Sequence, residues 1–354
     1  MQRDPVERAA RSEQDLYDVA TWEPRSAVDR LAARLYGAIL PTVRAVLILV
    51  AVVLLVVLVV GGVLSAVLEP EVGALVALSA APALLLAVYV WRADVTTEEP
   101  LGLLVATFLL GLLFAPFAGI VNDALSGAVG VDLDSTLLAV PFFFLVVGPG
   151  EEVVKLAAVR LYAYRDPRFD AVVDGAVYGA VAGLGFATIE NALYISQQLA
   201  ANGDGVAFGV TAVRALAGPG HVIYSGIAGY YLGMAKFNPD DAGPLVVKGL
   251  LVAAVVHALY NSLVGIVPSL LAVSAGVPLV VGFVGFVVVY DSLAGYYLYR
   301  KLERYRRTYH DVGAGGTPDP TPEVTEFDDS FRRGGGAHRS GSGSGSEPET
   351  EPGR

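Results

Sequence analysis

The chain is predicted to be an all-α bundle of about eight membrane-spanning helices, and three observations carry that expectation. Of its 354 residues 54% are hydrophobic, with a mean hydropathy of +0.57, too apolar for an ordinary water-facing surface. Nearly uncharged apolar runs of about 18 or more residues recur along it, and roughly 20 helical residues cross a hydrocarbon core of about 30 Å. Short strands of alternating polarity are absent, which argues against a β-barrel.

The elements follow in order. Residues 1–42 read as a cytoplasmic segment. Within it Ser26 to Leu40 carries apolar residues at Val28, Leu31, Leu35 and Ile39, with Ser26 and Asp29 as an N-cap pair, the pattern of an interfacial helix lying on the membrane. The spans are expected at 43–68, 72–91, 101–122, 136–163, 171–199, 207–236, 245–267 and 277–299, within a transmembrane domain 43–300. Residues 301–354 begin basic and turn acidic, and from about Val312 they are rich in Pro, Gly, Ser and Glu. A stretch of that composition buries too little apolar surface to fold.

The connections sort by charge. Arg residues crowd the N-terminal segment. Arg92, Arg165, Arg168, Lys236 and Lys248 fall on the even connections, and Arg300, Lys301 and Arg304 follow the last span. The odd connections hold no Lys or Arg, so both termini are expected in the cytoplasm and the chain in the cell membrane. No cysteine is present, which excludes disulfides, thiolate metal ligands and a cysteine nucleophile. The net charge of −11 with lysine only at 155, 236, 248 and 301 suits a salt-rich cytoplasm, and nothing points to nucleic acid. The sequence carries no signal for oligomeric state.

Polar residues inside the spans carry the functional reading, because a charge at mid-membrane costs about 2.5 kcal/mol or more and marks chemistry or conduction. They are Glu151, Glu152 and Lys155, then Glu190 and Asn191, then His221, then His257 and Asn261. Counted at about 1.5 Å per residue from the nearest basic residue, all fall near mid-membrane and could converge. Glu151 and Glu152 lie four and three residues before Lys155, so either acid can meet it. Asn261, one turn after His257, can support the imidazole. Gly148-Pro149-Gly150 and Gly218-Pro219-Gly220 precede an acid and a histidine. Each is expected to break its span and open a new helix N-terminus able to stabilise an oxyanion. Arg214 is expected to pair with Asp204 or another outer acid, or to snorkel.

Glutamates in apolar surroundings suit general acid/base work on water. Two histidines with a carboxylate (His221, His257 and Glu190) could instead hold zinc with water at an open position. A proton- or metal-coupled transporter would also bury Glu and His around broken helices. No H-E-x-x-H, G-x-G-D or G-x-S-x-G pattern lies in a span, which disfavours zinc site-2, aspartyl and serine types of membrane-embedded hydrolysis.

The order E-E-x-x-K, G-F-A-x-x-E-N-x-x-Y, a lone His in a Gly-rich span, and H-x-L-Y-N, within 148–265, resembles the PrsW family of intramembrane proteases. That family is grouped with the CAAX-prenyl endopeptidases, whose second motif has His where this chain has Glu190. The resemblance implies a polytopic metallopeptidase cutting membrane-anchored protein substrates. It assigns catalytic positions to Glu151, Glu152, Glu190, His221 and His257, with Lys155, Asn191 and Asn261 in support.

Overall fold

The computed structural model describes residues 4–10, 14–37, 70–96, 99–133 and 138–313. Among them the elements are helices: α1 Pro5–Ala9, α2 over 27–37, α3 Pro70–Ala93, α4 Leu101–Val129, α5 over 139–161, α6 Val172–Asn202, α7 Ala207–Phe237, α8 Ala242–Ala275 and α9 Leu279–Gly313. Six of them, α3, α4 and α6 to α9, are long and apolar enough to cross a membrane. With α5 they occupy the second to eighth expected spans. The first, 43–68, lies outside the described residues, as does the tail from 314.

Sequence decides which helix sits inside. In α6 small residues recur at Gly175, Gly179 and Gly183, one turn apart. A Cβ on each would collide with the backbone of α7 at Gly229, Ser225 and His221 respectively. Gly111 of α4 likewise lies against the carbonyl of Ala182, and Gly185 of α6 against that of Phe108. Without a strong solvophobic drive between helices in lipid, such close backbone approach is what holds them. The most apolar stretch of α6 is accordingly 94% buried, whereas that of α9 is 17% buried and presents Val280, Val288 and Leu293 outward. These outward chains suit acyl tails.

Neither Gly-Pro-Gly triplet breaks its helix, contrary to the sequence expectation. In α5 the triplet opens Gly148–Leu161 directly behind a π turn, Phe143–Val147, itself preceded by Ala139–Phe142. The wider turn absorbs a proline that has no N–H to give. In α7 Pro219 lies within an unbroken α-helix. Gly148 serves packing: a Cβ on it would stand 2.6 Å from the carbonyl oxygen of Ala254, so α5 and α8 meet one turn before His257. No new helix N-terminus opens at either triplet.

The N-terminal segment is built into the protein. The Ser26–Asp29 cap forms as expected, Asp29 N–H donating to Ser26 Oγ (3.0 Å) and Ser26 N–H to Asp29 Oδ2 (2.8 Å). Asp29 and Ala32 of α2 are fully buried while Leu31 is exposed, so one face meets protein and the other is free for the interface. Asp4 accepts from Val172 N–H (2.9 Å) and from the Tyr305 hydroxyl (3.0 Å). Asp18 lies between Lys248 (3.2 Å) and Lys301 (2.5 Å), and Asp29 takes Lys248 at 2.7 Å. Burial alone would raise the Asp18 carboxyl, but the two ammonium groups hold it below its ordinary value. These contacts explain why α9 continues beyond 299: Lys301, Leu302, Tyr305 and Val312 are buried, packing its last turns onto the N-terminal segment.

Candidate active site

Glu151, Glu152 and Lys155 lie on one face of α5 and are all buried, but the two acids have different surroundings. Glu152 is the structural hub. Its Oε1 accepts from Lys155 Nζ at 2.7 Å and from His257 Nδ1 at 3.0 Å, and its Oε2 accepts from Ser225 Oγ at 3.2 Å. Glu151 lines the cavity described below. One of its oxygens accepts from Asn122 Nδ2 at 3.2 Å, and the other, Oε2, is buried with no hydrogen-bond partner.

The histidines arrive from α7 and α8. A carboxylate can only accept, so the contact with Glu152 assigns the proton of His257 to Nδ1 and leaves Nε2 with its lone pair, 3.7 Å from Glu151 Oε2. The His221 ring stands edge-on to it, centroids 5.3 Å apart. Its Nδ1 is 2.9 Å from Lys155 Nζ and its Nε2 is 2.9 Å from Glu190 Oε2. The Lys155 ammonium also sits over the Phe186 ring of α6 at 4.2 Å. One buried lysine thereby holds Glu152, His221 and Phe186 in register.

Arg214 departs from expectation. Its guanidinium bonds Glu190 Oε2, donates through Nε to Asn191 Oδ1 at 2.8 Å, and covers the Tyr194 ring at 4.4 Å. Asn191 in turn donates to Ser79 Oγ of α3 at 3.0 Å. Arg214 lies seven residues before His221, two turns up the same face of α7; that spacing was the available signal. Asn122, an amide inside the apolar run of α4, and Ser225 were also missed. Asn261 does not support His257, whose Nδ1 is given to Glu152; it lines the cavity instead.

That cavity measures about 600 Å³ and brings Glu151, Glu190, Arg214, His221, His257 and Asn261 to one surface. Its lining continues to Asp123, Leu133 and Gln197, near the Lys/Arg-free ends of α4 and α6, so polar groups lead from that side to the histidines. One donor atom from each of Glu151, His221 and His257 lies within 4.8 Å of the other two. The unpartnered Glu151 oxygen and the facing His257 Nε2 fit a bound metal ion. His221 fits if one of its two hydrogen bonds yields. Glu190, held by Arg214, is outside this convergent set.

Residues 99–308 match the model of a family described as PrsW family intramembrane metalloprotease. Protease PrsW of Halalkalibacterium halodurans is 34% identical over 184 residues, covering 52% of this chain and 80% of that protein. Protease PrsW of Oceanobacillus iheyensis is 33% identical over 181 residues, 51% of this chain and 78% of its own length. Protease PrsW of Bacillus subtilis is 32% identical over 190 residues, 53% of this chain and 81% of its own. No solved structure matches. The family match spans more than half the chain and holds every residue around the cavity, and this multi-pass membrane protein belongs to the PrsW family of intramembrane metalloproteases.

Proposed function

We propose that the chain hydrolyses peptide bonds of membrane-anchored proteins in the cavity between α5, α6, α7 and α8, with zinc held by Glu151, His221 and His257. The observation that carries the reading is the convergence of those three donors around a buried carboxylate oxygen that accepts no hydrogen bond and has only the Lys155 ammonium at 3.6 Å. Two imidazoles and a carboxylate are a donor set suited to zinc with an open fourth position. A zinc ion there would polarise the scissile carbonyl and acidify a water molecule.

The protein's own groups do the rest. Glu152 fixes His257 through Nδ1 so that Nε2 faces the cavity, an orienting role of the kind that sets ligand geometry. Lys155 ties Glu152 to His221 and balances the charge of two adjacent acids. Glu190 is the remaining carboxylate at the cavity and takes the proton of the attacking water, later returning it to the leaving amine. Arg214 and Asn191 hold Glu190 in place, and the Asn261 amide is available to the developing oxyanion. A water supply reaches these groups from the lysine-free side. The basic ends of the helices and the N-terminal segment lie at the opposite end, which supports cytoplasmic termini.

Metal analysis tests the reading. Detergent-purified protein is expected to hold close to one zinc per chain. His257→Ala and Glu151→Gln are each expected to lose it while still eluting as folded protein. A chelator-resistant, metal-free preparation that still cleaves substrate would contradict zinc and leave the glutamates as sole bases.

A further inference from the structure

A second group of acids lies far from the cavity, where the connector between α3 and α4 crosses the start of α6. Asp94 follows the end of α3, Glu99 precedes α4, and Asp174 stands in the first turn of α6. One oxygen from each lies within 4.8 Å of the other two. Glu99 is 4% exposed and Asp174 is fully buried.

Half of each carboxylate is accounted for. Asp94 Oδ1 accepts from Thr96 N–H (2.8 Å) and Thr96 Oγ1 (2.7 Å). Glu99 Oε2 accepts from the Tyr178 hydroxyl. Asp174 Oδ2 accepts from the N–H groups of Asp170 (2.7 Å) and Ala171 (2.8 Å), capping α6. The other oxygens, Asp94 Oδ2, Glu99 Oε1 and Asp174 Oδ1, are buried without a hydrogen-bond partner. Lys236 lies nearby, but its ammonium donates to the Asp166 carbonyl at 3.0 Å and sits over the Phe169 ring at 4.4 Å. Among the described residues no lysine or arginine forms an ion pair with the three acids.

An orphaned buried carboxylate oxygen costs more than a hydrogen bond returns, and here three occur side by side. Glu99 and Asp174 can share a proton with each other, but that leaves Asp94 Oδ2 unserved, whereas a divalent cation removes all three penalties at once. The donor set is entirely oxygen, hard and anionic, without histidine. Calcium accepts several carboxylates in a flexible shell of about six to eight oxygens, whereas magnesium keeps much of its water.

We propose that Asp94, Glu99 and Asp174 form a calcium site, separate from the catalytic centre, that ties the α3–α4 connector to the first turn of α6. Asp174 lies roughly 24 Å along α6 from Glu190 at the helical rise, so the ion does not touch the reaction. It fixes where α6 begins, and α6 carries Glu190 and Phe186 into the cavity.

The test uses the full-length chain in detergent at alkaline pH, stripped of metal and titrated with Ca2+, with thermal unfolding as one readout. The other is Tb3+ luminescence excited through aromatic rings, Tyr178 among them, and displaced by Ca2+. Wild type is expected to bind saturably with a rise in Tm. Asp94→Asn, at the more accessible acid, and Glu99→Gln are expected to weaken Ca2+ binding at least tenfold while still eluting as folded protein. His257→Ala is expected to keep it. The proposal is overturned if wild type shows no saturable response, if both acid variants bind as tightly as wild type, or if His257→Ala alone abolishes the signal.

Discussion

Glu151→Gln and Glu152→Gln are both expected to lose at least about 100-fold in proteolytic rate, but for different reasons and with different stabilities. Glu151 gives one oxygen to Asn122 and leaves the other unpartnered at the cavity. An amide there removes a metal-binding carboxylate and only the longer of the two Lys155 ion pairs, 3.6 Å against 2.7 Å to Glu152, so the variant should unfold near the wild-type temperature. Glu152 joins Lys155, His257 and Ser225. An amide in its place removes the negative charge next to a buried ammonium and frees the His257 ring to turn. Truncating one side of a buried ion pair costs about 3–5 kcal/mol, so Glu152→Gln should be both inactive and less stable. Cleavage rates with thermal unfolding in the same detergent read the two effects separately. Full activity in both variants would remove the catalytic assignment. Equal stability losses would remove the division of roles.

Asp18→Asn is expected to detach the N-terminal segment from the bundle. Asp18 faces Lys301 at 2.5 Å and Lys248 at 3.2 Å, and all three side chains are buried. Lys248 retains Asp29 at 2.7 Å after the substitution, but Lys301 loses a charged partner. The loss should be about 3 kcal/mol or more, seen as a lower unfolding temperature and as faster tryptic cleavage at Arg25 or Arg30. Since the folded carboxyl sits below the ordinary value of 3.8, its contribution is complete above that pH and is lost as pH falls below it. The wild-type anchor should therefore withstand mild acid, and an N-terminus equally protected in Asp18→Asn would contradict the ion network as its fastening.

The membrane helices were legible because hydropathy is a property of consecutive residues, and every described span falls where the apolar runs predict. The acids and histidines that the fold brings together were legible for a related reason: an ionisable group stands out against apolar neighbours. Which group meets which was not. Arg214 reads from the sequence as an outer-end cation and in the fold binds Glu190, because the packing of α6 on α7 is set by glycines whose register a one-dimensional pattern does not reveal. The Gly-Pro-Gly triplets show the same limit. Their proline suggests a break, yet a π turn leads into Pro149 and α7 runs unbroken through Pro219. Asp94 and Glu99 carry no signal in the sequence, and Asp174 reads only as an acid near a cytoplasmic helix end that pairs locally, since such acids are ordinary until burial is known. The N-terminal segment is the clearest case: Lys248 and Lys301 are buried against Asp18 and Asp29, a pairing with distant aspartates that only the fold reveals.

The most direct measurement is the cut itself. Purified protein is reconstituted with single-span membrane-anchored substrates in liposomes, and the products are sequenced by mass spectrometry. The account predicts scission within or at the edge of the membrane-embedded segment, abolished in Glu151→Gln and His257→Ala and sharply reduced in Glu190→Gln. Cleavage that persists in Glu151→Gln and His257→Ala would place the chemistry elsewhere and contradict it.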